Sequence, residues 1–345
     1  MPYIQSSIPS LSGAGSPELP EITEPGTVVI LATGGTIVGV GKSGKSTGYA
    51  SGVLPVQSLV ASVPDLNRVA PLAILQLTNL NSDDITSKDW IGLARVINTL
   101  AENRLVAGFV ITHGTDTMDE TAYFLNLTVK TDKPVVLTGS MRPTTAISPD
   151  GPENLYEAVT VAADPSSHGH GVMVVFSGKI ISARSIRKVH TSDVDTMSGG
   201  EMGCMGIVTD STILFYAESS KRHTLRSEFD VSGRTELPKV TVLYFHTDAD
   251  PELLKAAAAL SEGIVIAGAG AGEYSKPYLE ALRALRLPVV ISSRTGDGII
   301  LQSAVLSSGT VAANNLPPQK AAVLLRVALT KTKDFGELVR IFGEY

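Results

Sequence analysis

Residues 27–37 read Thr27-Val28-Val29-Ile30-Leu31-Ala32-Thr33-Gly34-Gly35-Thr36-Ile37, an apolar, β-branched run that stops on two glycines and a threonine. A short apolar run bounded in this way predicts a strand buried on both faces, as in a parallel sheet covered by helices. A second stretch follows the same plan, since Gly108-Phe109-Val110-Ile111 leads into His113-Gly114-Thr115-Asp116-Thr117-Met118. Ligands of open parallel sheets bind just beyond the carboxyl ends of such strands. The two turns therefore predict one crevice faced by two threonine hydroxyls.

Outward from these stretches, strand-like runs at Val28–Thr33, Ala73–Leu77, Val106–Thr112, Pro134–Leu137 and Val172–Ser177 alternate with helical patterns. The helices are expected at Val56–Ser62, Trp90–Ala101, Thr117–Val129 and Asn154–Ala162. That alternation is the signature of βαβ units. The expected architecture is α/β: a larger N-terminal, flavodoxin-like doubly wound parallel sheet over residues 25–217, and a smaller C-terminal α/β domain over residues 238–345. Between them residues 218–237 carry Lys221, Arg222, His223, Arg226, Glu228, Asp230, Arg234 and Glu236, and read as a linker. Residues 1–24, rich in Ser, Pro and Gly, read as a disordered or processed extension. They lack the basic and apolar regions of a signal peptide, so a secreted, periplasmic or cell-wall location would require a presequence already removed.

The 345 residues are 43% apolar and 18% charged, an ordinary globular balance. No run approaches the roughly 20 apolar residues that span a bilayer, so no membrane partner is expected. A formal charge of −6 disfavours nucleic acid, which calls for a basic face, and suits a small polar substrate. The single cysteine, Cys204, excludes an intrachain disulfide and a cysteine zinc site.

Four local patterns point elsewhere and are weaker. Gly39-Val40-Gly41-Lys42-Ser43-Gly44-Lys45-Ser46 matches the phosphate-loop expression, but the strand ends near Thr33 and the glycines at 48 and 52 do not support the helix that must follow. Residues 38–52 read better as a long loop of the kind that covers active sites. Gly268-Ala269-Gly270-Ala271-Gly272 has its third glycine one residue too early for a dinucleotide fingerprint and reads as a tight turn. His168 and His170 lack nearby carboxylates or thiols and read as a polar turn, not a metal site. The sequon at Asn126 falls in an apolar helix pattern and reads as buried.

In order along the chain, Ala32-Thr33-Gly34-Gly35-Thr36-Ile37, His113-Gly114-Thr115-Asp116-Thr117-Met118, Gly139-Ser140-Met141-Arg142-Pro143 and Asp150-Gly151-Pro152-Glu153-Asn154-Leu155 resemble the type II L-asparaginases. Pro317-Pro318-Gln319-Lys320-Ala321 is similar to that family's closing segment. The resemblance implies hydrolysis of L-asparagine to L-aspartate and ammonia through a threonine acyl-enzyme, with no metal or cofactor and a secondary L-glutaminase activity. It also implies a homotetramer whose sites are shared between subunits. A threonine hydroxyl is a weak nucleophile, so such chemistry needs a base and donors for the developing oxyanion.

By the motif match Thr36 is the nucleophile and Tyr49 the tyrosine that assists it, while Thr115, Asp116 and Lys188 form the second hydrogen-bonded set. The substrate-binding residues implied are Gly35, Ser82, Asp83, Thr115, Asp116 and Ser140. Asp83 departs from the family by a shorter side chain. Read without the family, Thr36 is a helix N-cap, Asp116 a first-turn acid and Lys188 a surface charge. Ala271, and Thr295-Gly296-Asp297-Gly298 without a glutamate, look closer to eukaryotic, fungal members and leave the asparagine-to-glutamine preference open.

Overall fold

The computed structural model describes residues 18–45, 55–63, 65–305 and 309–345. The chain divides into two compact units, residues 1–227 and 228–345.

In the first unit β1 (Thr27–Gly34) is buried at every residue, as its apolar run predicts. It is followed by the short helices α1 (Val56–Ala61) and α2 (Leu66–Val69), then β2 (Leu72–Leu80), α3 (Ser87–Ala101), β3 (Val106–Thr112), α4 (Met118–Thr128), β4 (Val135–Thr138), α5 (Gly151–Ala163) and β5 (Val172–Phe176). Next come β6 (Lys179–Ser182), β7 (Arg187–Lys188), β8 (Met197–Ser198), β9 (Gly206–Thr209) and β10 (Thr212–Phe215). Among the described residues one eight-stranded sheet runs β10-β9-β6-β5-β4-β3-β1-β2. Its parallel part has the order β2-β1-β3-β4-β5, the flavodoxin-like order, and Leu31 lies between Leu75 and Ile111. The winding reverses at β1, so the crevice between the ends of β1 and β3 is the topological switch point.

Local chemistry sets the helix ends. Thr86 and Asp89 form a reciprocal capping box at the start of α3, and Trp90 just inside donates to Thr121 Oγ1 at 2.8 Å and stacks on Phe124. α4 is buried all round apart from Glu120, which is why its amphipathic pattern is weak. Asn126 is buried there and accepts the Val172 N–H at 3.0 Å, consistent with a sequon that does not reach solvent.

The antiparallel extension β6, β9 and β10 and the small β7–β8 hairpin are absent from the sequence reading. Strands of two to four residues are too short to show alternation. The β9–β10 turn is made by Asp210 and Ser211, both at positive φ, in place of the glycine that would have signalled it.

The second unit contains β11 (Val240–Tyr244), α6 (Glu252–Leu260), β12 (Gly263–Gly268), α7 (Lys276–Ala284), β13 (Val289–Ser293), α8 (Gln302–Val305), β14 (Val311–Ala312), α9 (Pro318–Ala328) and α10 (Phe335–Glu344). Its four-stranded parallel sheet runs β11-β12-β13-β14 over a core that includes Leu254, Ile266, Tyr278 and Ile291. The polar segment 218–237 does not hang free. Up to Ser227 it belongs to the first unit, where Lys130 Nζ donates to Ser227 O at 2.6 Å. From Glu228 it belongs to the second, where the Glu228 carboxylate meets Lys331 and, at 2.8 Å, Arg340, while Phe229 packs on Tyr345.

Two buried imidazoles set an acid limit on the first unit. Burial pushes His113 down to about 4, against a smaller raising effect of the Gly114 carbonyl that its Nδ1 donates to at 2.7 Å. His223 is also lowered to about 4, by burial first and then by Arg226 and His170. Above the unfolded value near 6.5 both forms are neutral and the stability is fully present. As pH falls from there through about 4, the unfolded chain binds protons that the folded chain refuses, so stability is lost. The expected loss is on the order of 3 kcal/mol for fully buried His113. Urea midpoints measured from pH 7 to pH 4 are expected to fall; a flat series would contradict the assignment.

Candidate active site

The strand ends are drawn together by glycines that nothing larger can replace. Gly34 and Gly35 have φ of 115° and 86°, and a Cβ on Gly35 would lie 2.5 Å from the Gly114 nitrogen. A Cβ on Gly114 would in turn lie 2.8 Å from Ser82 Oγ. Thr36, Thr115 and Ser82 thus stand on adjoining turns beyond β1, β3 and β2, which places the two threonine turns in one crevice. Gly35→Ala combines the clash with a left-handed backbone, and is expected to lower stability by about 3 kcal/mol or more. Thermal unfolding checks this; a variant with the parent midpoint would show that the turns are not so close.

Thr36 is buried and begins the 3-10 turn Thr36–Val38. Its N-cap is Gly35, so the helix-cap role that the bare sequence offers for Thr36 is not the one it takes.

Lys188 lies on β7, opposite Met197 of β8, and this hairpin delivers its side chain to the β3 turn. Its Nζ donates to Thr115 Oγ1 at 2.9 Å and to Asp116 Oδ1 at 2.6 Å. The Lys188 side chain is 18% exposed and that of Asp116 68%. The lysine is therefore enclosed by its partners, while the carboxylate stays open to a cationic group arriving from solvent. The structure brings Thr115, Asp116 and Lys188 into direct contact, although Lys188 follows Asp116 by 72 residues.

Ser82 is buried and Asp83 exposed, side by side on the 3-10 turn Ser82–Asp84. The turn is tied to the β3 loop because Thr117 Oγ1 donates to Ser82 O at 2.7 Å. Ser140 is buried, and its hydroxyl donates to Arg142 O at 2.9 Å. Tyr49 lies outside the described residues, as do Ser46 and the rest of residues 46–54.

Two residues that the sequence reading gave no role organise the loop over this crevice. Asp150 is the N-cap residue of α5, yet its side chain makes no capping bond to the helix. Its carboxylate instead accepts the N–H groups of Met141 and Arg142, each at 2.9 Å. Buried Asn154 donates to Gly139 O at 3.0 Å and accepts the Ser177 N–H at 2.9 Å. A contact spanning eight or nine residues leaves no periodic signal, so one sequence offers nothing to find it by. Met141 itself accepts a hydrogen bond from Thr115 Oγ1, with the sulfur at 3.4 Å.

The phosphate-loop match is used internally. Gly41 N donates to Thr145 Oγ1 at 3.0 Å and Gly44 N to Thr145 O at 2.9 Å, while Gly39 O accepts from the N and Oγ1 of Thr144. Those two amides are occupied by the protein's own chain and cannot cradle a phosphate. Gly268–Gly272 forms a tight turn closed by paired bonds between Ala269 and Glu273. Among the described residues no group of three or more His, Cys, Asp or Glu is placed to hold a metal ion, and no helix is long and apolar enough to cross a membrane.

Comparison with known proteins agrees with this geometry. Residues 27–221 match the family model described as Asparaginase, N-terminal, and residues 239–342 that of the Glutaminase/Asparaginase C-terminal domain. The chain is 43% identical to L-asparaginase 2 of Bacillus subtilis (strain 168) over 98% of this chain and 90% of that protein. It is also 43% identical to L-asparaginase 2 of Escherichia coli (strain K12), over 92% and 93% respectively. Relatives at 39–40% identity carry the name glutaminase-asparaginase. The crystal structure of a probable cytoplasmic L-asparaginase from Campylobacter jejuni superposes with a TM-score of 0.90 at 42% identity, covering 94% of this chain and all of that one. Two domain models in series, together spanning most of the chain, establish that this chain belongs to the asparaginase family.

Proposed function

We propose that this protein hydrolyses the side-chain amide of L-asparagine to L-aspartate and ammonia, with L-glutamine as a slower substrate. The observation that carries the reading is the Lys188–Thr115–Asp116 set beside the Thr36 turn, in a chain of the asparaginase family. Thr36 Oγ attacks the amide carbon, the C–N bond breaks, and the nitrogen leaves as ammonia after taking a proton, which leaves an aspartyl ester on Thr36. Water then adds to the ester carbonyl and the Thr36 oxygen departs with a proton. Exposed Asp116 pairs with the substrate's α-ammonium, which favours an amino acid over a simple amide. Ser82 and the Gly35 backbone hold its α-carboxylate, with Asp83 beside them and the Ser140 backbone near the amide. By the family resemblance, Tyr49 assists the Thr36 hydroxyl.

Ammonia release from L-asparagine and L-glutamine, followed in parallel without added metal, tests this. Asparagine is expected to show the higher kcat/KM. Release from neither substrate would overturn the proposal.

We further propose a homotetramer in which a neighbouring copy completes each site. Ile207 and Leu214, paired across β9 and β10 at the sheet edge, are exposed together with Tyr216, an apolar face of the kind a second copy covers. A fully active monomer by light scattering at assay concentration would exclude the assembly. For location, an exported form would require a presequence already removed, which fractionation of the source cells tests.

A further inference from the structure

We propose that Met141 is a positioning residue that holds the hydroxyl proton of Thr115 and so lets Thr115 serve both protonation states of Lys188. The inference rests on the reading of Thr115 and Lys188 as the pair that handles protons. A hydroxyl has one proton and two lone pairs, whereas an ammonium can only donate. The Thr115 oxygen therefore accepts from charged Lys188 at 2.9 Å, and its own proton must go elsewhere. It goes to Met141 Sδ at 3.4 Å. Thr115 and Met141 are both buried, so without the sulfur this proton would have no acceptor there or would turn into the crevice.

The sulfur is held in place by the loop. Asp150 fixes the Met141 N–H, and Gly139 lets the loop approach the Thr115 turn, since a Cβ there would lie 2.5 Å from His113 O and 3.5 Å from Thr115 Cγ2. A thioether is a weak acceptor, so the proton leaves it at little cost. When Lys188 is neutral, the hydroxyl swings from sulfur to Nζ. In the deacylation step water adds its oxygen to the ester carbonyl carbon and gives a proton to Thr115 Oγ, while Thr115 passes its original proton to Lys188 Nζ. The Thr36–acyl bond then breaks, and the proton returns by the same hydroxyl to the departing Thr36 oxygen. An oxygen acceptor in place of sulfur would hold the proton more tightly, and a hydrocarbon would not hold it at all.

The test compares Met141→Leu, which keeps volume and loses the acceptor, with Met141→Gln, which packs worse in a buried site but supplies one. Asparagine turnover is measured with Lys188→Met in parallel. In Met141→Leu, kcat is expected to fall about tenfold, equivalent to about 1.4 kcal/mol, with KM within about twofold and the melting temperature near the parent's. Met141→Gln is expected to retain the higher kcat of the two. Parent kcat in the leucine variant, a loss expressed in KM alone, or glutamine slower than leucine would overturn the inference and leave Met141 as packing. Parent turnover in Lys188→Met would instead overturn the reading beneath it.

Discussion

Thr36→Ala is expected to leave a folded protein whose ammonia release from L-asparagine is slower by about ten-thousandfold or more. The turn that carries Thr36 is built by backbone: Gly35 N donates to Leu80 O at 3.1 Å and Gly39 N to Thr36 O at 2.7 Å. Alanine accepts the same backbone, and losing a hydroxyl and a methyl costs the fold about 1 kcal/mol. The chemistry loses its nucleophile altogether. Every other group stays in place, so the ligand still binds, and the effect appears in kcat and not in KM. Thr36→Ser keeps the attacking oxygen and is expected within about tenfold of the parent, since only a methyl that steers the rotor is gone. If alanine at this position turned over asparagine at the parental rate, Thr36 would not be the nucleophile.

Lys188→Met is expected to reduce kcat by about a thousandfold, the range for a positioned proton-transfer group, while KM changes only a few-fold. Methionine keeps an unbranched stem on β7 that is shorter than lysine's by one atom. What disappears is the donor 2.9 Å from Thr115 and 2.6 Å from Asp116. Stability should change by less than about 1 kcal/mol, because the Asp116 carboxylate left behind is open to water and needs no partner to stay charged. Lys188→Arg is informative beside it: arginine stays protonated at any working pH and cannot relay a proton. A role in charge pairing alone predicts rescue by arginine. A role in proton transfer predicts that arginine is as slow as methionine.

The sequence made the centre of this molecule legible because its signals are strong there. The run before Gly34 is buried throughout, so it reads as an internal parallel strand, and the glycines that end it exist because nothing with a Cβ fits. Thr36 and Thr115 could therefore be placed at the carboxyl ends of their strands from one sequence. Lys188 could not be recognised without the family motif. It sits on a two-residue strand, in a stretch whose partners are set by a hairpin with Met197 and Ser198 that has no pattern of its own. Asp150 gave no sign of its role, since nothing in one sequence links its carboxylate to the Met141 and Arg142 amides. Residues 218–237 read as a linker by polarity, and the division between the two units falls inside them after Ser227, but their polarity did not show that Phe229 and Val231 are buried and Glu228 is held by two cations. A few apolar side chains among many charges are enough to pin a segment.

The central claim is that an aspartyl ester forms on Thr36. Rapid acid quench of the protein during asparagine turnover, followed by peptide mass spectrometry, tests it most directly. The account predicts a fraction of the peptide containing Thr36 heavier by one aspartyl group, absent from Thr36→Ala. An adduct on the Thr115 peptide, or turnover with no adduct on any peptide under conditions that trap the slowed Lys188→Met variant, would contradict it.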